Sequence, residues 1–271
     1  MARERTLPGE TRVSTARTVV AESVTLAGAP VLAQSPAEFS RDPVAAKEVN
    51  DWLASVDAAT RVHWALKNLP GPFALSSSFG AQAAVSLHLV AQADPTIPVL
   101  VIDTGYLFPE TYQFIKQLEQ QLDLNIQVFS SPQTVDDFEA QYGKLWEQGR
   151  EGLDKYLELR KVEPMRRGLV TLGTATWFAG LRRSQAASRA ALNPLEVRDG
   201  RFKVHPIFDW SDRDVYLYLK AHSLPYHPLW DKGYVSIGDW HSTKALHEVD
   251  SADELRFSGL KRECGIHGLE G

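Results

Sequence analysis

Short apolar runs bounded by turn residues alternate with segments of helical period along most of this chain. Apolar side chains first recur at helical spacing between Val44 and Leu69, which predicts a helix that ends at Pro70. The runs that follow are typical of buried strands. They cover residues 73–75, 98–102, 126–129, 176–180 and 204–208.

Between these runs the pattern predicts helices at residues 81–93, 110–122 and 212–222, and a charged helical region at 135–170. Strands that alternate with helices through short links must pair in parallel. The fold class predicted is therefore α/β, with a doubly wound, mostly parallel sheet. In such a sheet the ligand lies beyond the carboxyl ends of the strands, and residues 76–80 and 103–105 both fall there.

The composition is that of a globular chain, with 271 residues, 44% hydrophobic and 23% charged. A net charge of −5 gives no indication of a nucleic-acid or membrane surface. No apolar run reaches the roughly 18 residues of a membrane span. Glu22 interrupts the mildly apolar stretch at 19–32, so we expect no secretory signal and a cytoplasmic protein.

The chain has a single cysteine, Cys264. One thiol excludes a disulfide within the chain and fits a reducing compartment. Thiolate zinc sites and iron–sulfur clusters need several cysteines, so we predict neither and no other metal site.

The first candidate for ligand binding is Ser76-Ser77-Ser78-Phe79-Gly80, between a predicted strand and a predicted helix. Backbone N–H groups and small hydroxyls at a helix N-terminus can hold a phosphate, although no Walker pattern is present. An ordinary serine N-cap explains the same residues. Asp103-Thr104-Gly105 is equally ambiguous, since it is either turn chemistry or a contact to a ribose or adenine.

Basic residues gather at two places. Arg182, Arg183 and Arg189, together with Gln185, follow an apolar strand and offer bidentate donors for phosphate or sulfate. We interpret the second set as solvated surface, the usual position of charged runs. That set is Arg160-Lys161 and Arg166-Arg167.

The tail reads Lys261-Arg262-Glu263-Cys264-Gly265-Ile266-His267. Buried structural cysteines stand in apolar stretches, whereas Cys264 has charged neighbours and glycine beside it. Cationic neighbours raise the thiolate fraction, which favours a reactive thiol. His267 is either a proton donor or a residue that holds the tail.

Taken together, these motifs resemble the assimilatory phosphoadenylyl-sulfate reductases over roughly residues 45–270. The resemblance rests on Ser76–Gly80, on the run from Asp103 to Tyr112, on Thr176–Arg183 and on Lys261–His267. It implies an adenine nucleotide α-hydrolase-like (PP-loop) fold, commonly a homodimer, and a nucleophilic Cys264. It also implies that the serine loop, the arginine segment, Lys261 and Arg262 hold the nucleotide. Tyr234 matches a family position near the active site.

A sister group, the adenylyl-sulfate reductases, binds a four-iron cluster through a Cys-Cys pair and a Cys-x-x-Cys. At the matching places this chain has Tyr156-Leu157 and Asp239-Trp240-His241-Ser242, which are not ligands of that cluster. The resemblance is therefore to the cluster-free branch, whose substrate carries a 3′-phosphate. It implies no bound cofactor, with reducing equivalents from thioredoxin or glutaredoxin.

These observations predict a reductase that converts phosphoadenylyl sulfate into sulfite and adenosine 3′,5′-bisphosphate through a cysteine S-sulfonate. The alternatives are a cluster-free adenylyl-sulfate reductase, an ATP pyrophosphatase-type enzyme and a nucleotide sensor. Three regions are expected: a variable N-terminal arm at 1–43, a nucleotide-binding α/β domain at 44–250 and a mobile catalytic tail at 251–271. Gly259, Gly265 and Gly268 suit a tail that moves between nucleotide and partner.

Overall fold

The computed structural model describes residues 26, 28–261, 263, 265 and 266. Within them a six-stranded sheet runs in the order β3-β2-β1-β4-β6-β5, and every neighbouring pair is parallel except the edge pair β5–β6. The strands are β1 Phe73–Ser76, β2 Pro98–Asp103, β3 Asn125–Ser130, β4 Thr176–Ala179, β5 Leu195–Arg198 and β6 Arg201–Val204. The predicted α/β class and mostly parallel sheet are confirmed.

Helices connect these strands and cover the sheet. They are α1 Pro36–Phe39, α2 Pro43–Ser55, α3 Ala58–Asn68, α4 Ala84–Ala93, α5 Pro109–Leu122, α6 Val135–Tyr142, α7 Gly149–Leu157, α8 Glu163–Thr171 and α9 Asp212–Ala221. A π-helical turn, Glu158–Val162, joins α7 to α8. In the part of the chain that the structure describes, none of these helices has the length and apolar character needed to cross a bilayer.

Alternating side chains of the strands enter different apolar clusters. On β2, Val99 and Val101 join the main core, whereas Leu100 joins a second cluster with Met165 and Leu169 of α8. Because successive strand residues point to opposite faces, the sheet is buried on both sides. This two-sided burial explains why the strands are short continuous apolar runs in the sequence.

The helix predicted between Val44 and Leu69 is in fact two helices, α2 and α3. Val56 is extended, and Asp57 caps α3 by accepting the Thr60 amide at 2.8 Å. An aspartate at this position satisfies an N–H group that a continuous helix would have bonded internally. The apolar period continues across the break, so the sequence pattern did not reveal that the helix is interrupted.

The last predicted strand, 204–208, was also wrong in its bounds. β6 ends at Val204, and an antiparallel edge strand, β5, precedes it. Asp199-Gly200 links the two, with φ of 49° and 70°, as a tight hairpin requires. An Asp-Gly pair between two β-rich runs is a hairpin signal that could have predicted β5.

Part of the segment predicted as an arm packs on the domain. Leu32 and Phe39 are buried in the main core, and the Trp64 indole N–H donates to the Pro30 carbonyl at 2.8 Å. Residues 1–25 and 27 lie outside the described residues. The division of the chain at residues 43 and 250 stays a prediction.

Candidate active site

A cavity of about 580 Å³ opens at the carboxyl ends of β1, β2 and β4. Its wall contains residues from the serine loop, from the segment after β4, from the π-helical turn and from the loops at 235–238 and 255–257. The volume is within the range of small-molecule sites, and the position is the one expected for a ligand of a doubly wound sheet.

The serine loop lies at this cavity as predicted, and Ser76, Ser77, Ser78 and Gly80 line it. Phe79 does not face the ligand space: it is fully buried with φ of 49° and packs edge-on against Phe114 at 6.5 Å. Its ring therefore anchors the loop to the core. The Trp177 indole N–H donates to Ser76 Oγ at 2.7 Å and fixes the start of the loop.

The interpretation of these serines as an ordinary N-cap does not hold. Ala83 is the N-cap of α4, and it makes no side-chain capping bond. Ala81, Gln82 and Ala83 line the cavity just before the helix. A ten-residue helix that begins without a side-chain cap presents N–H groups and the positive end of its dipole to an anion.

The Asp103-Thr104-Gly105 motif divides between two roles. Thr104 is buried, lines the cavity and donates to an Asp239 carboxylate oxygen at 2.6 Å. Asp103 accepts the Gly105 amide at 2.8 Å and the Tyr112 hydroxyl at 2.7 Å. Gly105 has φ of +77°, and a Cβ there would lie 2.6 Å from Val135 Cγ2. Asp103 and Gly105 thus build the turn, and Thr104 reaches the cavity.

The two adjacent arginines lie in different places. Arg182 is 3% exposed, lines the cavity and is held by Asp212 at 2.9 Å. Arg183 is exposed, donates to the Leu192 carbonyl at 2.7 Å and stacks on the Phe208 ring at 4.6 Å. Of the pair, the cavity wall contains Arg182 and not Arg183.

Gln185 and Arg189 also line the cavity, and Arg189 is joined there by the tail. Its Nε and Nη2 donate to the two carboxylate oxygens of Glu263 at 2.7 and 2.8 Å, and Ser188 adds a bond at 3.0 Å. Ile266 lines the cavity and packs on the apolar cluster of Met165. The chain on each side of position 264 therefore contacts the cavity wall.

The other predicted site residues either do not line the cavity or lie outside the residues that the structure describes. Lys261 bonds Asp154 at 2.6 Å, and Tyr234 packs against Phe108 with ring centroids 5.6 Å apart. Neither lines the cavity, although the four residues after Tyr234 do. Arg262, Cys264 and His267 lie outside the described residues.

Lys161 is a cavity residue that the sequence analysis placed wrongly on the solvated surface. It is 6% exposed, lines the cavity and pairs with Asp239 at 2.6 Å. Arg160 is also buried, and donates to the Gln133 carbonyl at 2.7 Å. The π-helical turn shifts the helical period, and within it both basic side chains are buried. Arg166 and Arg167 are exposed as predicted.

Arg256 is the second missed cation, and it also lines the cavity. A Cβ at Gly238 would lie 2.3 Å from Arg256 Nη2, so the Arg256 guanidinium packs directly against this glycine. Arg256 lies in loop-rich sequence without a recognisable motif, so the sequence contained no signal that it lines the cavity.

The cavity has a positive lining in a chain of net charge −5. Among the described residues of the wall, the cations are Lys161, Arg182, Arg189 and Arg256, and the carboxylates are Asp212 and Glu263. Arg182 and Arg189 use part of their donor forks on those two carboxylates. The arrangement suits a ligand with several anionic groups.

Comparison with known proteins agrees with this geometry. Residues 72–245 match the phosphoadenosine phosphosulfate reductase domain. A phosphoadenosine 5′-phosphosulfate reductase of Klebsiella pneumoniae is 58% identical over 224 residues, which are 83% of this chain and 92% of that protein. The Yersinia enterocolitica reductase is 59% identical over 219 residues, 81% of this chain and 90% of the relative.

Comparison with solved structures shows that the similarity includes the fold. The phosphoadenylyl-sulfate reductase of Candida auris, solved as a phosphate complex, has a TM-score of 0.66 and 28% identity, and covers 79% of this chain and all of that one. The FMN adenylyltransferase of Candida glabrata shares only the fold, with a TM-score of 0.53 and 14% identity over 83% of this chain and 78% of its own. The chain belongs to the phosphoadenosine phosphosulfate reductase family.

Proposed function

We propose that this chain reduces 3′-phosphoadenylyl sulfate to sulfite and adenosine 3′,5′-bisphosphate in assimilatory sulfate reduction. The observation that carries the proposal is the cation-lined cavity at the strand ends, with residues on both sides of Cys264 at its wall. A nucleotide with phosphate and sulfate groups matches this lining in charge and size.

In the first step the Cys264 thiolate attacks the sulfur of the bound nucleotide. A sulfur–sulfur bond forms, and the bond from sulfur to the phosphate oxygen breaks. Its electron pair leaves with adenosine 3′,5′-bisphosphate, and a Cys–S–SO₃⁻ adduct remains. The leaving group is a phosphate, which departs without a proton.

The cavity cations address the main obstacle to this step, which is repulsion between a thiolate and an anionic substrate. Lys161, Arg182 and Arg256 would neutralise the phosphate and sulfate oxygens, and the start of α4 would add backbone donors. Tyr234 and His267 are proposed catalytic residues on the family pattern alone, and Lys261 and Arg262 are proposed ligand contacts on the same ground. Asp103, Gly105 and Arg183 do not line the cavity and are not proposed as ligand contacts.

The second step needs a thiol from another molecule, because Cys264 is the only cysteine in the chain. A thiolate of thioredoxin or glutaredoxin attacks the Cys264 sulfur and forms a mixed disulfide. The sulfur–sulfur bond to the sulfonate breaks and sulfite leaves. The donor's second thiol then restores Cys264, so the donor dithiol supplies the two electrons. We also propose that the protein is a homodimer and that it acts in the cytoplasm.

Sulfite release tests the proposal when phosphoadenylyl sulfate and adenylyl sulfate are supplied separately, each with and without thioredoxin. We expect multiple turnovers only with phosphoadenylyl sulfate and thioredoxin together, because the donor must regenerate the single thiol. Preference for adenylyl sulfate would establish the alternative reductase. Sustained release without any thiol donor would contradict the two-step scheme.

A further inference from the structure

Asp239 is the most deeply buried carboxylate among the described residues at this site, and it contacts three other elements. It is 0% exposed and accepts Thr104 Oγ1 at 2.6 Å, the Tyr156 hydroxyl at 3.0 Å and Lys161 Nζ at 2.6 Å. A backbone bridge between Asp239 and Leu107 fixes the segment that presents it. A buried charge is tolerated only when paired and hydrogen-bonded in this way.

The surroundings keep this carboxylate ionised. Burial by itself would raise the pKa of Asp239, but the Lys161 charge and the bonds from Lys161 and Thr104 outweigh it and lower the pKa to about 2. Burial and the Asp239 charge raise the pKa of Tyr156. Tyr156 therefore remains a neutral donor, and Asp239 a fixed negative charge.

Two of the three donors to Asp239, Thr104 and Lys161, also line the cavity, whereas Asp239 itself does not. An ammonium group has three N–H donors, and Asp239 takes one of them. The carboxylate thus restrains a flexible lysine side chain from behind and leaves donors for an anionic ligand. It also pairs the buried ammonium with an opposite charge, which offsets the cost of burying it.

We propose that Asp239 is a positioning residue, which holds the charged Lys161 side chain at the cavity wall for an anionic group of the nucleotide. This inference rests on the proposed function, because it takes a nucleotide to be the ligand. It adds a residue that acts through another one and makes no contact with the ligand itself.

Calorimetric binding of adenosine 3′,5′-bisphosphate tests the inference without turnover. The proteins are the wild type, Asp239→Asn, Lys161→Met and the double variant. Asp239→Asn is expected to weaken binding about tenfold, the size expected for one charge-assisted hydrogen bond to the ligand. In the Lys161→Met background the same change should have almost no further effect, because the residue through which Asp239 acts is gone.

Tyr156→Phe serves as the structural control, since it removes one bond to Asp239 and leaves the Lys161 pair in place. It should lower the unfolding temperature and leave affinity within about twofold of the wild type. If Asp239→Asn does not fold, Asp239→Glu replaces it, and the same dependence on Lys161 is expected.

Wild-type affinity in Asp239→Asn, or an equal loss in both backgrounds, would overturn the inference. Binding that follows the expected pattern in a protein that releases no sulfite would refute the proposed reduction and leave the inference standing. A wild-type chain that does not bind the bisphosphate would refute both.

Discussion

Replacing Cys264 by serine is expected to lower the rate of sulfite formation by about 10⁴-fold or more, the scale seen when a covalent nucleophile is removed. A serine hydroxyl is a weak nucleophile at neutral pH, because very little of it is ionised. The nucleotide contacts proposed here come from other residues. Steady-state sulfite release with thioredoxin measures the loss.

Affinity for adenosine 3′,5′-bisphosphate is the control for this variant. It should stay within about threefold of the wild type, because none of the phosphate contacts proposed here comes from Cys264. Sulfite formation within tenfold of the wild-type rate would show that the thiol is not the nucleophile. Loss of nucleotide binding together with the rate would show that the tail is needed for binding.

The adjacent arginines provide the second large effect. Arg182→Met is expected to raise KM for the nucleotide by about 10- to 100-fold, the equivalent of losing one or two charge-assisted hydrogen bonds. Arg183→Met should change KM by no more than about threefold, because an exposed charge is screened by solvent. The reason is that Arg182 lines the cavity and Arg183 lies on the Phe208 ring.

Thermal unfolding separates binding from folding in this pair. Arg182 also bonds Asp212 and the Trp210 carbonyl, so Arg182→Met should unfold at a lower temperature. Arg182→Lys keeps the charge and recovers part of the affinity, although it cannot reproduce the fork of donors. A larger rise in KM for Arg183→Met than for Arg182→Met would show that the phosphate contacts lie on the exposed side of this segment.

Much of the sheet could be predicted because its strands are buried on both faces. Such strands appear as apolar runs, and the ends of the first four were predicted to within one residue. β5 was missed because Glu196 and Arg198 make an edge strand look like a polar loop. The break between α2 and α3 was missed because the apolar period does not change there.

The loops that form the site were predictable, but not which side chains face the ligand. Parallel topology places the serine loop and Thr104 at one edge, since strand ends meet there. Within these loops, however, the side chains of adjacent residues lie in different surroundings: Arg182 lines the cavity, whereas Arg183 does not. Lys161 could not be placed because its burial depends on a π-helical turn and on Asp239, which is 78 residues away in sequence.

Mass spectrometry of the protein after one addition of phosphoadenylyl sulfate, with no thiol donor present, tests the covalent step directly. The scheme predicts that the peptide containing Cys264 gains the mass of one SO₃ group, and that one equivalent of adenosine 3′,5′-bisphosphate is released. Adding thioredoxin should remove the group as sulfite. Release of the bisphosphate with Cys264 unmodified, or an adduct on any other residue, would contradict it.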